Sequence, residues 1–239
     1  MLLPTWPAPA GVFSLMTTRE GGVSCPPWDS FNLGDHVGDD AAHVTEIRAR
    51  LRRQLPAEPA WLKQIHSATV VDAGSDALTA DASVTRQAGC VCAVLTADCL
   101  PVLFCDRAGR VVAAAHAGWR GLAQGVLEAT VAAMQVPPGE VLAWMGAAIG
   151  PQVFEVGDDV RLAFVTQHPE AAAAFVPDPS GVPGKWLADI YQLARIRLNR
   201  VGVQEIYGGG RCTFNEADRF YSYRRDGETG RMASLIWLA

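Results

Sequence analysis

The chain has 239 residues, a net charge of −5 and 49% hydrophobic against 19% charged residues. This composition is typical of a packed globular protein and excludes a disordered one. The excess of acidic residues argues against a broad nucleic-acid-binding surface, and the apolar stretches are too short to span a membrane. The N-terminus lacks the features of a signal peptide, so we expect a cytoplasmic protein with one domain over residues 1–239.

Hydrophobic spacing and turn residues define a series of elements in chain order. They predict a strand at 12–17, a helix at 40–54, an extended segment at 61–71, strands at 90–95, 102–106 and 111–115, a helix at 122–134, a strand at 141–149, helices at 158–166 and 187–201, and a hairpin of 220–223 with 232–238. This mixture predicts an α/β (α+β layered) domain with a large mixed, partly antiparallel sheet flanked by helices.

The six cysteines are predicted to be reduced, because a chain of this size needs no disulfides to stabilise it. Cys90, Cys92 and Cys105 lie in or beside apolar, strand-like runs. Free cysteine behaves as a small hydrophobe, so these three are expected to pack in the core.

Cys99 and His116 stand in the two segments richest in reactive side chains, joined by the turn sequence Asp106–Gly109. A two-residue turn would place Cys99 opposite His116, with Cβ atoms about 4.5–5.5 Å apart. A three-residue loop with Gly109 in a left-handed conformation would turn the two side chains to opposite faces. A bulge at Pro101 would restore the pairing, so both registers stay open.

His66, at the end of an extended apolar segment, is the best candidate for a third ligand. One Cys and two His suit zinc and leave a fourth position for water or substrate. Copper accepts the same ligands, so ligand type leaves both metals open. Asp98, next to Cys99, is a candidate for proton transfer. The alternative for each histidine is a hydrogen-bonded structural residue.

Three further residues are candidates for substrate contacts. The turn before the predicted 122–134 helix carries Arg120, and helix amides together with an arginine suit an anion. Asn32 follows two aromatic residues, and Arg225 lies in a segment of alternating aromatic and basic residues, so each suits a base, sugar or phosphate. The alternatives are an ordinary strand–helix turn at Arg120, and a hydrogen-bonded loop or a solvated strand end at the other two.

Several long motifs resemble those of the YfiH family: TADCLPVLFCDRAG, VAAAHAGWRGLAQGVLEATV, LADIYQLAR and FYSYRRDGETGRMASLIWL. The N-terminal GVFSLMTTREGGVSCPPWDSFNLGDHVGDD also resembles the family, so the resemblance spans nearly the whole chain. It implies a fold similar to the catalytic domain of a cytotoxic deamidase toxin and a metal site at His66, Cys99 and His116. Gln64, which matches the family's motif, joins the substrate-binding candidates. The segment after Pro151 lacks the family's Cys pair, which removes the basis for an extra copper site there.

The resemblance implies three activities, since members are described as purine nucleoside phosphorylases, laccase-like polyphenol oxidoreductases and peptidoglycan-editing factors. The first expectation is a zinc-dependent phosphorylase acting on adenosine, inosine and S-methyl-5′-thioadenosine, with adenosine deaminase activity in addition. Its partners would be small-molecule substrates and phosphate, with no obligate protein partner. Copper-dependent phenol oxidation is an alternative, although five histidines are too few for several copper centres. Editing of peptidoglycan precursors is a further alternative activity. A pure binding module is the last alternative, and it would give the open metal position no function.

Overall fold

The computed structural model describes residues 1–239, which form thirteen strands and six α-helices. The strands are β1 (Val12–Met16), β2 (Pro59–Trp61), β3 (Val70–Asp72), β4 (Ala82–Thr85), β5 (Val91–Thr96), β6 (Leu100–Asp106), β7 (Val112–Ala117), β8 (Val141–Met145), β9 (Glu155–Gly157), β10 (Phe175–Pro177), β11 (Lys185–Ala188), β12 (Glu205–Gly208) and β13 (Met232–Leu238). The helices are α1 (Ala41–Arg52), α2 (Trp119–Gln124), α3 (Val126–Ala133), α4 (Asp158–Val165), α5 (Ile190–Arg200) and α6 (Tyr223–Asp226), with 3-10 turns at Pro138–Glu140 and Pro169–Ala174. No helix combines the length and the apolar character needed to cross a membrane.

The strands form three sheets. The largest has six strands in the order β12-β8-β6-β7-β4-β3, and a second has four in the order β1-β13-β5-β2. A small three-stranded sheet has the order β10-β11-β9. In the largest sheet the β8–β12 and β3–β4 pairs are parallel and the other pairs are antiparallel. The predicted mixed α/β class is therefore confirmed.

The two larger sheets pack face to face between layers of helices. One cluster of buried side chains joins β5 and β13 of the four-stranded sheet to β6, β7 and β8 of the six-stranded sheet. A second joins the outer face of the six-stranded sheet to α3, α4 and α5, and a third packs α1 on the outer face of the four-stranded sheet. Because both faces are covered, the central strands β5, β6 and β7 are buried at every position and have continuous apolar sequences.

Most predicted elements are confirmed, with bounds shifted by a few residues. In α1, the predicted stripe Val44, Ile47 and Leu51 is buried, and Asp40 caps the helix by accepting a hydrogen bond from the Ala42 amide. The cysteines are free thiols; Cys92 and Cys105 are buried, and Cys90 is half-buried.

Four predicted elements are wrong in ways that tertiary contacts explain. The extended segment 61–71 divides into β2 and β3 around a loop, and the helix 122–134 is broken at Gly125, whose φ of 95° is left-handed. The first residues of the helix predicted at 187–201 form β11 instead, paired with β9 and β10. The hairpin of 220–223 with 232–238 does not form, because β13 pairs with β1 and β5, and the chain before it ends in the short helix α6.

The β6–β7 hairpin has a different register from both predicted ones. A four-residue loop, 107–110, joins the strands, with Gly109 at φ 66° and the Asp106 carboxylate accepting hydrogen bonds from the Arg110 and Val111 amides. Pro101, rather than Cys99, therefore lies opposite His116. The observed register differs from the one predicted for a two-residue turn by two residues. Because side chains alternate between the two faces of a strand, a shift of two residues leaves each side chain on its predicted face. Cys99 lies in the bend just before β6.

Candidate metal centre

Three segments far apart in sequence bring His66, Cys99 and His116 together. His66 lies in the connection from β2 to β3, which leads from the four-stranded to the six-stranded sheet. Cys99 lies in the connection from β5 to β6, which joins the same two sheets, and His116 is near the end of β7. The site therefore lies at the end of the sandwich where the chain passes between its layers.

The three donor atoms lie close enough together that the group could hold a single metal ion. All lie within 4.8 Å of one another, and Cys99 Sγ is 3.9 Å from His66 Nε2. A tetrahedral zinc ion with bonds of about 2.0–2.3 Å holds its ligand atoms about 3.5 Å apart. The donor set fits zinc, and copper accepts the same atoms. Three protein ligands leave one coordination position open for water or substrate.

Asp81 positions two of the three ligands. Its buried carboxylate lies 2.9 Å from His116 Nδ1 and accepts hydrogen bonds from the His66 and Ser67 amides at 2.9 and 2.6 Å. A carboxylate on one ring nitrogen fixes the tautomer and the orientation of a metal-binding histidine, so His116 Nε2 faces the site. Asp81 is not among the residues predicted from the sequence. The one local indication of its role is a carboxylate between two alanines, Ala80 and Ala82.

Electrostatics favours the metal-binding form of Cys99. Burial raises the pKa of the Cys99 thiol, but the charge and hydrogen bonds of His116 and His66 outweigh burial and lower that pKa to about 6. Burial lowers the pKa of His116, but the Cys99 charge and the hydrogen bond to Asp81 raise it to about 9. The hydrogen bonds of His116 and Ser67 overcome the effect of burial on Asp81 and hold its pKa below the usual range. Because the thiolate is the form that binds metal, Cys99 is prepared as a ligand near neutral pH.

The backbone at the site is strained at two positions. His66 and Asp98 have φ values of 59° and 89°, a region that residues other than glycine rarely adopt. Asp98 is held there because its carboxylate accepts hydrogen bonds from the Thr213 hydroxyl at 2.6 Å and the Arg224 amide at 2.7 Å. Such strain is concentrated at functional sites. Both Asp98 oxygens have protein partners, which suits the positioning of Cys99; proton transfer by Asp98 stays a prediction.

Gly118 leaves the space that two of the ligands occupy. It is the residue before α2, and a Cβ atom there would lie 2.9 Å from both Cys99 Sγ and His66 Cδ2. Its φ is −63°, so an alanine would fit the backbone and only the space would forbid it. A residue without a side chain is therefore needed at this point of the site.

Two predicted substrate-binding residues, Asn32 and Gln64, form hydrogen bonds with backbone groups of the protein. Asn32 is fully buried; it accepts hydrogen bonds from the Gly34 and Arg231 amides and donates to the Gly34 carbonyl. Gln64 donates to the Leu95 carbonyl and accepts from the Leu95 amide, at 2.8 and 2.7 Å. These bonds fix the backbone at Gly34 and Arg231 and tie the segment before His66 to the end of β5. Contact of either residue with a substrate stays a prediction.

The two predicted arginines lie in different surroundings. Arg120 is exposed on the first turn of α2, with its guanidinium stacked over the Trp119 ring at 4.4 Å. Arg225 donates to the Thr213, Phe214 and Phe220 carbonyls and is paired with the neighbouring carboxylate of residue 226. Its hydrogen-bonding capacity is used within the protein, whereas the Arg120 guanidinium is open to solvent.

Comparisons with known proteins agree over the whole chain. The sequence model of the family described as "multi-copper polyphenol oxidoreductase laccase" matches residues 13–239. Purine nucleoside phosphorylase YfiH from Escherichia coli is 55% identical over 243 residues, covering 100% of this chain and 98% of that protein. The chain belongs to the YfiH family. A YfiH-family relative from Pseudomonas aeruginosa, also named purine nucleoside phosphorylase, is 59% identical over 99% of this chain and 98% of its own length.

Solved structures similar to this chain have the same fold. The Neisseria meningitidis protein NMB0706, assigned to DUF152, has a TM-score of 0.94 and 57% identity, covering 99% of this chain and 98% of its own. YlmD from Geobacillus stearothermophilus has a TM-score of 0.85 and 33% identity, covering 96% of this chain and 92% of its own. The resemblance to the YfiH family stated from the sequence is confirmed.

Proposed function

We propose that this protein is a zinc-dependent purine nucleoside phosphorylase that acts on adenosine, inosine and S-methyl-5′-thioadenosine. The observation that carries the proposal is the group of His66, Cys99 and His116, three metal donors with one position left open. Relatives 55–59% identical over almost the entire chain bear the name purine nucleoside phosphorylase, which supports it.

In the proposed reaction, a phosphate oxygen bonds to C1′ of the ribose while the bond from C1′ to the purine nitrogen breaks. The purine keeps the electron pair and takes the proton of hydrogen phosphate, so the reaction balances with ribose 1-phosphate as the second product. Zinc in this site would supply a Lewis acid and lower the pKa of a bound water to about 7. The chain's own contribution is to hold His116 in one tautomer through Asp81 and to present Cys99 as a thiolate.

The other predicted residues have the following proposed roles. Arg120, exposed beside the site, neutralises the charge of an anionic substrate. Asp98 positions Cys99, and Asn32, Gln64 and Arg225 hold the surrounding loops through their hydrogen bonds. Adenosine deaminase activity belongs to the same proposal, because zinc-activated water suits attack on C6 of adenine.

Incubation of the zinc-loaded protein with inosine, with and without phosphate, tests the proposal. We expect hypoxanthine and ribose 1-phosphate when phosphate is present, separated by chromatography. Adenosine in the same assay would give inosine if the protein deaminates. No base release and no deamination at any phosphate concentration would refute the proposal.

The metal site is tested with a pair of cysteine variants. Cys99→Ala should lose bound zinc and activity together, measured by elemental analysis and the same assay. Cys25→Ala is the matched control, because Cys25 is an exposed thiol outside the donor group. An active, zinc-free Cys99→Ala protein would show that the reaction does not use this site.

Copper-dependent phenol oxidation is the second candidate, favoured by the description of the family and by a donor set that copper accepts. Five histidines in the chain suit one metal ion rather than several copper centres. Oxidation of a phenol that appears after copper loading and is lost in Cys99→Ala would place that activity in the same site.

A further inference from the structure

A cavity of about 300 Å³ is lined by seven residues, among them His36, Tyr223, Glu228 and Arg231. Two chain segments join it to the metal ligands. Tyr223 precedes Arg224, whose amide binds Asp98, the residue before Cys99. Arg231 precedes Met232, which pairs with Thr96 at the end of β5. The volume is at the lower end of the range for small-molecule sites.

Arg231 is fixed in the wall of this cavity. Its amide donates to Asn32 Oδ1 at 2.9 Å, and its Nη1 donates to the Thr229 and Gly230 carbonyls at 2.9 and 3.0 Å. The aliphatic part of the side chain packs against Gly34, where a Cβ atom would lie 2.8 Å from Arg231 Cγ. No hydrogen bond within the protein uses Nε or Nη2 of this guanidinium.

The remaining edge of the guanidinium is suited to an anion. Nε and Nη2 form one of the two-donor edges with which arginine binds phosphate or carboxylate oxygens bidentately. The Arg231 side chain is half-buried, and a charge interaction in less than full solvent is stronger than one at the surface. Glu228 contributes a carboxylate to the same cavity, but it is exposed to solvent, whereas Arg231 is held among protein groups.

We propose that the Nε–Nη2 edge of Arg231 binds the phosphate that serves as co-substrate, a role that rests on the proposed phosphorylase function. Burial lowers the pKa of Arg231, and the charges of Cys99 and Asp98 oppose that shift, so the guanidinium lies close enough to the metal ligands to interact with them. Two ligands could supply the phosphoryl dianion that this edge binds: free inorganic phosphate and the diphosphate of a nucleotide-linked precursor. We assign the site to free inorganic phosphate.

Calorimetric titration of the zinc-loaded protein with inorganic phosphate, and separately with UDP, tests this assignment. Arg231→Gln should weaken phosphate binding by roughly tenfold or more, the loss expected when a charge-assisted bidentate contact is removed. The KM for phosphate should rise in parallel, while zinc content and the KM for inosine stay near their wild-type values. Arg53→Gln is the matched control, because Arg53 is exposed, makes no side-chain hydrogen bond and does not line the cavity.

The outcomes separate this inference from the proposed function. Unchanged phosphate affinity and phosphate KM in zinc-loaded Arg231→Gln would overturn the inference and leave phosphorylase activity standing. Wild-type protein that binds phosphate through Arg231 but releases no base would retain the anion site and refute the proposed function. Binding of UDP without binding of phosphate would overturn the assignment to free phosphate. If Arg231→Gln does not fold, Arg231→Lys keeps the charge, loses the bidentate edge and should still raise the phosphate KM.

Discussion

Cys99 owes its chemistry to neighbours that are remote in sequence. A buried thiol without such neighbours has a raised pKa, and burial raises the pKa of Cys92 and Cys105 to about 12. Cys99 has the opposite shift because two imidazoles face its sulfur. Cys99 therefore differs from Cys92 and Cys105 in its pKa because of its environment in the fold.

Alkylation of the metal-free protein by iodoacetamide should show this difference. The Cys99 thiolate predominates above pH about 6, its lowered pKa, so the alkylation rate at Cys99 should rise through pH 6 and level off at neutral pH. Cys92 and Cys105 stay protonated and buried, and serve as internal controls in peptide mapping by mass spectrometry. Zinc should protect Cys99. A Cys99 rate that rises only above pH 8 would contradict the proposed pairing with His116.

Among the elements, α2 and the loop before it determine whether the metal site has room to form. The strand β7 ends at Ala117, and Gly118, the residue before α2, lies against Cys99 and His66. Helix α2 then ends at Gly125, where the left-handed backbone starts α3 at a new angle. The predicted single helix fails at that point because glycine permits a break that hydrophobic periodicity does not reveal.

Gly118→Ala should therefore disable the site while the protein still folds. The added methyl group would lie 2.9 Å from Cys99 Sγ, so one ligand must move, and we expect zinc affinity to fall by at least about tenfold. Competition with a chromogenic chelator measures the affinity, and circular dichroism checks the fold. Gly139→Ala is the matched control, because a Cβ atom there meets nothing within 4 Å. Wild-type zinc affinity in Gly118→Ala would contradict the close packing of the site.

At the scale of the whole molecule, the metal centre links the two large sheets. Two ligands lie in connections that cross between the sheets, and the third lies at the end of β7 in the six-stranded sheet. An ion bound to all three joins segments that separate on unfolding. Because the unfolded chain does not hold these donors together, metal binding stabilises the folded state.

Removal of zinc should accordingly lower the thermal stability of the protein. Zinc at a free concentration about 100 times its Kd adds about 2.7 kcal/mol to the free energy of unfolding. For a chain of this size that corresponds to a Tm shift of roughly 5–10 °C. Differential scanning calorimetry with zinc and with a chelator measures the shift, and Cys99→Ala should show none. Equal Tm values for the wild-type protein in both conditions would show that the ion does not bridge the sheets.

Local sequence determined much of the fold and the types of the metal ligands. The apolar runs of β5, β6 and β7 are predictable because a strand buried on both faces is apolar at consecutive positions. The stripe of α1 is predictable because a helix buried on one face has apolar residues at helical spacing. One cysteine and two histidines suit a metal by their chemistry alone.

Only the tertiary structure decided the geometry of the site. The register that places Pro101 opposite His116 depends on how the Asp106 carboxylate folds its loop, and the role of Asp81 depends on the loop that carries His66. The cavity at Arg231 forms between segments about 200 residues apart, as the hydrogen bond from its amide to Asn32 shows. These features arise from contacts between distant segments, and no pattern in neighbouring residues records them.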